Sequence, residues 1–269
     1  MKRIGFIGAG NMAGAIVKGL LRTGKWSPDD IAASDAADTQ LRRLKKLYKI
    51  ETTRDNRAVV RGAKTIVLAV KPQIMAQVLE EIRPESTPKK LFVSIAAGFP
   101  LQRLEQGLGR GTRVVRVMPN TPCLIGKGMS VAVAGAHATS ADLKETVKLF
   151  AACGEAVSIT GEALLDAVTA LSGSGPAFVY LFAEALVDGA VRGGLSPQLA
   201  TKLCFQTLSG AAGMLLESGM SPRDLRDMVS SPGGTTLAGL TALDQRGFRD
   251  TVIAAIDAAS RRAHELAAS

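Results

Sequence analysis

The chain has 269 residues, of which 46% are hydrophobic and only 4% aromatic, and its formal net charge is +9. This length supplies one large domain or two ordinary ones, each with a sizeable core. The positive charge is confined to residues 1–158, which carry 25 Lys and Arg against 13 Asp and Glu, whereas residues 159–269 carry 8 against 11. Because no run of five like charges marks a patch and aromatic side chains are few, we expect no nucleic-acid partner.

The few cysteines and histidines predict no metal site. The three cysteines lack the short spacings of a metal knuckle or a redox pair, and only two histidines are present. The apolar start of the chain imitates a secretory signal, but Asn11 and Lys18 interrupt it. Since no later segment approaches 18 uninterrupted apolar residues, we expect a cytoplasmic protein with no membrane partner.

Short β-branched runs alternate with helical patterns over residues 1–159. Strands separated by helical segments of about 10–15 residues are typical of βαβ units, which build a parallel sheet. A helix is predicted at Ala141–Ala152. The strand candidates are Arg3–Ile7, Ile31–Ser34, Thr65–Val70, Leu91–Ile95, Val114–Val117, Ser130–Ala134 and Ala156–Ile159.

From Gly161 onward the sequence shows no convincing strand. Three helix starts share a serine that caps the helix and a proline in the first turn, namely Ser174-Gly175-Pro176, Ser196-Pro197 and Ser221-Pro222. The segment Ala177–Val191 is apolar on nearly every face, and a small helical bundle can hardly bury it alone. We therefore predict an all-α domain over residues 160–269 that dimerises.

A glycine-rich turn follows the first predicted strand. Gly8-Ala9-Gly10-Asn11-Met12-Ala13 lies between Ile7 and a helical pattern over Met12–Leu21. Gly8 permits a tight turn, Gly10 lets a pyrophosphate approach the backbone, and Ala13 allows close packing of helix and strand. Amides at the helix N-terminus can then bind phosphate. The pattern predicts a Rossmann-type α/β domain over residues 1–159 that binds a nicotinamide dinucleotide.

Other loops at the carboxyl ends of the predicted strands extend this site. Ala69-Val70-Lys71-Pro72 and Ala96-Ala97-Gly98 follow the third and fourth strands, where a dinucleotide passes. After the second strand, Asp35 could bind a free ribose hydroxyl, which would favour NAD. The alternative is the 2′-phosphate of NADP, held by Ser34, Arg42, Arg43, Arg54, Asn56 and Arg57. These residues leave the choice between NAD and NADP open.

A second distinctive segment, Ser230-Ser231-Pro232-Gly233-Gly234-Thr235-Thr236, precedes a helical pattern over Leu237–Leu243. The glycines let backbone amides converge, and the helix N-terminus adds partial positive charge. The threonine hydroxyls can both donate and accept hydrogen bonds. This combination indicates a site for a small carboxylate next to a polar nitrogen or oxygen, although a simple capped helix start would also explain Thr235.

Taken together, five segments resemble the pyrroline-5-carboxylate reductase family over essentially the whole chain. The last two, in that order, are specific to this family, whereas many oxidoreductases share the glycine turn. The segments are Gly5-Phe6-Ile7-Gly8-Ala9-Gly10-Asn11-Met12-Ala13, Ala69-Val70-Lys71-Pro72-Gln73, Arg116-Val117-Met118-Pro119-Asn120-Thr121-Pro122, Leu171-Ser172-Gly173-Ser174-Gly175-Pro176-Ala177 and Ser231-Pro232-Gly233-Gly234-Thr235-Thr236.

The resemblance implies reduction of the cyclic imine of 1-pyrroline-5-carboxylate to L-proline, the last step of proline biosynthesis, with NADP(H) preferred and NAD(H) possible. It also implies a homodimer formed by the helical domain, which can assemble into a decamer of five dimers. The implied cofactor residues are Ile7, Gly8, Ala9, Gly10, Asn11, Met12, Ser34, Asn56, Ala69, Val70, Lys71, Pro72, Ala96, Ala97, Gly98, Asn120 and Glu162. The implied substrate residues are Ser231, Gly233, Gly234, Thr235 and Thr236, with the Thr236 hydroxyl as the catalytic contact to the ring nitrogen.

Two other functions compete with this one. A 3-hydroxyacid-type NAD(P) dehydrogenase has a similar layout, but it needs a charged acid or base, and Val179 stands where its lysine would be expected. A non-catalytic dinucleotide-binding regulatory protein is the second alternative, because a fold alone does not imply turnover. A cofactor sensor would not need the loop from Ser231 to Thr236.

Overall fold

The computed structural model describes residues 1–268 and contains one eight-stranded sheet in the order β3-β2-β1-β4-β5-β6-β7-β8. Neighbouring strands run parallel, with one exception: β6 and β7 pair antiparallel. The strands are β1 Lys2–Ile7, β2 Ile31–Ser34, β3 Glu51–Thr53, β4 Ala63–Leu68, β5 Leu91–Ser94, β6 Arg113–Pro119, β7 Gly128–Ala134 and β8 Gly154–Ser158.

Helices cover both faces of the sheet. Successive residues of one strand point to opposite faces, so Phe6 and Ile7 of β1 belong to two different core clusters. The first cluster packs against α1, α2 and α6, and the second packs against α3, α4 and α5. These helices are α1 Asn11–Arg22, α2 Asp38–Tyr48, α3 Asn56–Gly62, α4 Pro72–Ile82, α5 Leu101–Leu108 and α6 Ser140–Phe150.

All seven predicted strands are present, with ends shifted by up to two residues. The short edge strand β3 was not predicted, because its three residues carry no buried alternation. The predicted parallel sheet has one exception, at β7. This strand follows β6 after a short connection, too short for a crossover helix, and therefore returns antiparallel to it.

The remainder of the chain is helical, and no strand follows Ser158 among residues 1–268. Ser196 and Ser221 cap their helices as predicted, with each hydroxyl oxygen accepting a bond from the backbone N–H three residues on. The elements are α7 Leu164–Val168, a π-helical turn Thr169–Ser174, α8 Gly175–Arg192, α9 Pro197–Glu217, α10 Pro222–Met228, α11 Thr235–Gln245 and α12 Phe248–Ala268.

The predicted helix start at Ser174-Gly175-Pro176 is wrong. Ser174 ends the π-helical turn, and the helical stretch runs without a break from Leu164 to Arg192. Pro176 has no N–H to give to the carbonyl of Ser172, its usual partner in an α-helix. That carbonyl instead accepts a bond from the Asn120 side chain, 3.1 Å away. The wider π-turn and this outside donor accommodate the proline inside the helix.

Contacts between residues divide the chain into two units, Met1–Ser174 with Ala258–Ser269, and Gly175–Asp257. The predicted division at 159/160 into a dinucleotide-binding and a helical domain stays a prediction. The second unit leaves many large apolar side chains exposed, including Leu181 (66%), Phe205 (58%) and Leu216 (85%). By length and composition alone, the helical stretch Leu164–Arg192 could cross a membrane; such a test is also passed by helices of soluble proteins.

Candidate functional site

In the first unit, the loops at one edge of the sheet come together around β1. Strand β1 lies between β2 and β4, which is where the strand order reverses and where ligands of such sheets bind. Backbone bonds join consecutive loops: Gly8 donates to the Ser34 carbonyl (2.8 Å) and Ala69 donates to the Ile7 carbonyl (2.8 Å). The predicted residues at 7–12, 34, 56, 69–72 and 96–98 all lie at this edge.

The glycine turn has the shape that a pyrophosphate requires. Gly8 has φ +100°, and a Cβ there would lie 2.6 Å from the carbonyl oxygen of Ala69. A Cβ on Gly10 would meet nothing within 4 Å, so open space borders the turn on that side. Helix α1 begins at Asn11 with no side-chain cap and no acidic residue in its first turn. Its first amides are therefore available to an anion, and the turn fits a dinucleotide.

The Asp35 carboxylate is directed at the glycine turn. Its Oδ2 accepts a bond from the backbone N–H of Ala9 (2.7 Å), and its Oδ1 accepts one from Ala37 (2.8 Å). Both oxygens are thus held by the protein's own backbone. Asp35 therefore stabilises the conformation of the glycine turn.

Ser34 and Asn56 are the first two members of a hydrogen-bonded chain. The fully buried Ser34 hydroxyl donates to Asn56 Oδ1 (2.7 Å), and Asn56 Nδ2 donates to Glu81 Oε2 (2.8 Å). A carboxylate only accepts, so Glu81 fixes which end of the Asn56 amide faces Ser34. Asn56 is partly exposed and Ser34 is not, so a ligand at this edge meets the amide before the hydroxyl.

The arginines proposed for a 2′-phosphate have diverse partners. Arg54 makes a two-bond ion pair with Asp38, and these hydrogen bonds hold the pKa of the Asp38 carboxyl below its usual value. Arg57 donates to the backbone carbonyl of Glu81 (2.8 Å). Arg43 reaches back to the glycine turn, and Arg42 is exposed.

Lys71, Pro72 and the 96–98 loop border the site on its other side. Lys71 stands at the N-cap of α4, with its side chain exposed, and Pro72 is the first helical residue. Gly98 lies against the last turns of α12, since a Cβ on it would be 3.1 Å from the Cβ of Leu266. This part of α12 belongs to the first unit.

Asn120 and Glu162 are both held by the protein. Asn120 Oδ1 accepts from the Met129 N–H (2.8 Å), while its amide donates to the Ser172 carbonyl. Glu162 Oε1 accepts from Arg116 Nη1 (2.6 Å) and from the N–H of Leu101, the first residue of α5. Both side chains thus connect strand β6 or its end to neighbouring elements, and their predicted roles in cofactor binding stay predictions.

The hydroxyl-rich loop belongs to the second unit. Gly233 has φ +69°, and the Gly234 N–H donates to the Ser231 carbonyl (3.0 Å), which closes a turn directly before α11. Gly234 is the N-cap of α11 and offers no side chain to the helix. Within residues 1–268, the hydroxyls of Ser231, Thr235 and Thr236 make no hydrogen bond to another residue. The loop therefore presents free hydroxyls and free helix amides together.

Three contacts with predicted cofactor residues were not predicted from the sequence. Arg116 pairs with Glu162, Glu81 bonds Asn56, and Arg43 bonds the glycine turn from 34 residues away. Each contact joins distant parts of the chain, and the residue type alone gives no signal for it. Among residues 1–268, no cluster of three His, Cys, Asp or Glu side chains could hold a metal ion.

Comparison with known proteins gives consistent matches. The family model described as pyrroline-5-carboxylate reductase dimerisation matches residues 162–266, and that described as NADP oxidoreductase, coenzyme F420-dependent, matches residues 3–98. A pyrroline-5-carboxylate reductase of Methanosarcina acetivorans is 45% identical over 265 residues, covering 98% of each chain.

Solved structures agree. A pyrroline-5-carboxylate reductase from Coxiella burnetii superposes with TM-score 0.93 at 36% identity, covering 98% of both chains. A pyrroline carboxylate reductase from Plasmodium falciparum, solved with NADP bound, gives TM-score 0.88 at 34% identity and covers 99% of this chain and 98% of that one. With such identity over nearly its whole length, the chain belongs to the pyrroline-5-carboxylate reductase family.

Proposed function

We propose that this protein reduces the C=N bond of 1-pyrroline-5-carboxylate to give L-proline, the last step of proline biosynthesis, with NADPH as the preferred reductant and NADH as an alternative. The observation that carries the proposal is the loop Ser231–Thr236, whose free hydroxyls and helix amides suit a small imino acid. The named relatives, which match along almost the whole chain, support the same reaction.

The loop matches the two polar groups of the substrate. The carboxylate is an anion, and the uncapped amides of α11 with the Ser231 hydroxyl supply donors for it. The ring nitrogen needs a polar neighbour, and the Thr236 hydroxyl can serve as donor or acceptor. A protonated imine brings its own proton, so no strong acid from the protein is required. Thr236 is therefore a positioning contact, and orientation contributes most of the rate.

The glycine turn and the loops beside it would hold the cofactor. Amides at the start of α1 would bind the pyrophosphate, and Asn56, Lys71 and the 96–98 loop would border the two nucleosides. When bound, the nicotinamide supplies the hydride that reduces the imine carbon. The protein's part is to fix that ring and to exclude water around it.

We also propose that the second unit is covered by a second copy of the chain, giving a homodimer that can assemble into a decamer of five dimers. Large apolar side chains of α8 and α9, such as Leu181, Leu203 and Phe205, are exposed in the single chain. Charged residues at 184 and 188 interrupt the apolar surface of α8, which favours a protein partner over lipid. The proposed location is the cytoplasm, without a membrane partner. Light scattering on the purified protein tests the assembly, and a monomer would contradict it.

The test of the proposed site is a threonine substitution with a matched control. Thr236→Val keeps the shape of the side chain and removes its hydroxyl. We expect turnover of 1-pyrroline-5-carboxylate to fall by about tenfold to a hundredfold, with cofactor affinity changed less than about twofold. Thr241→Val, on the same helix, removes a hydroxyl that already bonds the Leu237 carbonyl and should leave turnover unchanged. An unchanged rate for Thr236→Val would remove this residue from the site.

A further inference from the structure

Arg43 of helix α2 contacts the glycine turn through two hydrogen bonds. Its Nη2 donates to the carbonyl oxygen of Ala9 (3.0 Å), and its Nη1 donates to the side-chain oxygen of Asn11 (2.6 Å). The two acceptors flank Gly10, the residue beside which open space remains for a ligand. The planar guanidinium thus spans the turn.

The charge of Arg43 has no acidic partner among the described residues. Both of its acceptors are neutral oxygens, whereas Arg54 on the same side of the sheet is paired with Asp38. The Nε atom of Arg43 is buried and makes no hydrogen bond within residues 1–268. A cation whose hydrogen-bond partners in the protein are all neutral keeps an unbalanced positive charge that can attract an anion. The open space beside Gly10 is where such an anion would lie.

The backbone of Ala9 is held at both of its polar atoms. Asp35 accepts from its N–H, and Arg43 donates to its carbonyl. These two hydrogen bonds fix the backbone orientation of Ala9 and therefore the direction in which the chain enters helix α1. The amides of Asn11 and Met12, at the start of α1, depend on that direction.

We propose that Arg43 is a positioning residue for the dinucleotide pyrophosphate: it holds the glycine turn through two hydrogen bonds and supplies one positive charge that offsets part of the negative charge of the two phosphates. This inference rests on the proposed use of the turn by a nicotinamide cofactor. It assigns Arg43 a role different from recognition of a 2′-phosphate. The pyrophosphate is common to NADPH and NADH, so Arg43 contributes to the binding of both, and it does not select between them.

The test measures the Kd of NADPH and of NADH by titration of the full-length protein without substrate, at several salt concentrations. Arg43→Met removes the charge and both bonds while keeping most of the apolar stem. We expect the Kd of both cofactors to rise by about tenfold to a hundredfold, as expected for the loss of charge-assisted contacts. The salt dependence of Kd should become shallower, since one cation no longer acts on the phosphates. Arg43→Lys keeps the charge but not the planar fork, and should recover part of the affinity.

The matched control is Lys45→Met, which removes the same charge from the opposite side of the same helix, where the side chain is exposed. It should change both Kd values less than about twofold. At saturating cofactor, the KM for the imine should stay near the wild-type value in Arg43→Met, because Arg43 contacts the glycine turn and not the loop proposed to hold the imine.

Three outcomes would overturn the proposal. A rise in the Kd of NADPH alone would assign Arg43 to the 2′-phosphate, and equal small effects of Arg43→Met and Lys45→Met would leave it no role. If the wild-type protein binds neither cofactor, both the proposed role of Arg43 and the proposed function fail, and this result is distinct from the other two. Circular dichroism and size-exclusion chromatography confirm folding; where Arg43→Met does not fold, the NADPH and NADH affinities of Arg43→Lys decide by the same criterion.

Discussion

Replacing Asn120 by Ala should loosen the helix that contains Pro176. The Asn120 amide group donates to the Ser172 carbonyl (3.1 Å), to which Pro176 has no N–H to donate. The side-chain oxygen of Asn120 accepts from the Met129 N–H (2.8 Å). Truncation leaves both backbone groups without a partner in a half-buried position. At roughly 1–1.5 kcal/mol for each unpaired group, the free energy of unfolding should fall by about 2–3 kcal/mol.

A double-mutant cycle tests the reasoning, because Pro176→Ala restores an N–H that can donate to Ser172. In that background Asn120→Ala should cost about 1 kcal/mol less than in the wild type. Asn120→Asp keeps the acceptor for Met129 but cannot donate, and should cost about half as much as the alanine variant. Unfolding by urea at one fixed protein concentration gives these values. The same cost for Asn120→Ala in both backgrounds would refute the link between this side chain and the proline.

Gly8→Ala would place a Cβ 2.6 Å from the Ala69 carbonyl at φ +100°, so we expect titration with NADPH to show at least a tenfold loss of affinity; normal binding would contradict the assigned turn. Glu162→Ala leaves Arg116, only 6% exposed, without its carboxylate and should lower the free energy of unfolding by about 2–3 kcal/mol in a urea titration, and a neutral effect would contradict the ion pair's role. Burial raises the pKa of the Cys153 thiol to about 12, so a thiol reagent at pH 8 should modify it only after unfolding, and rapid reaction in the native protein would contradict its burial.

Much of the fold could be predicted because its signals are local. The β-branched runs, the glycine turn after Ile7 and the serine caps at 196 and 221 each depend on a few neighbouring residues. The helix start at Ser174 was predicted wrongly by the same rule. Pro176 is accommodated inside a helix by the π-helical turn before it and by Asn120, 56 residues earlier, whose amide donates to the carbonyl that the proline leaves free. Sequence patterns do not show such distant compensation.

In the candidate site too, local features could be predicted and long-range contacts could not. Gly8 could be predicted because its φ of +100° favours glycine, and Gly10 could be predicted because a side chain there would enter the open space beside the turn. The direction of a charged side chain could not: Asp35 turns towards the Ala9 amide, and Arg43 bonds the turn. From their positions after β2, Asp35 is a candidate for a ribose hydroxyl and Arg43 a candidate for a 2′-phosphate. Their contacts depend on the packing of α2 against the turn, which no short motif encodes.

The most direct test of the central claim is a turnover assay with product analysis. Purified protein is incubated with 1-pyrroline-5-carboxylate and either NADPH or NADH, while cofactor oxidation is followed by absorbance and L-proline is measured by chiral chromatography. We predict one proline formed for each cofactor oxidised, with NADPH the better reductant, and no oxidation when a 3-oxo acid replaces the imine. Absence of turnover with both cofactors, or reduction of the 3-oxo acid in place of the imine, would contradict the proposed function.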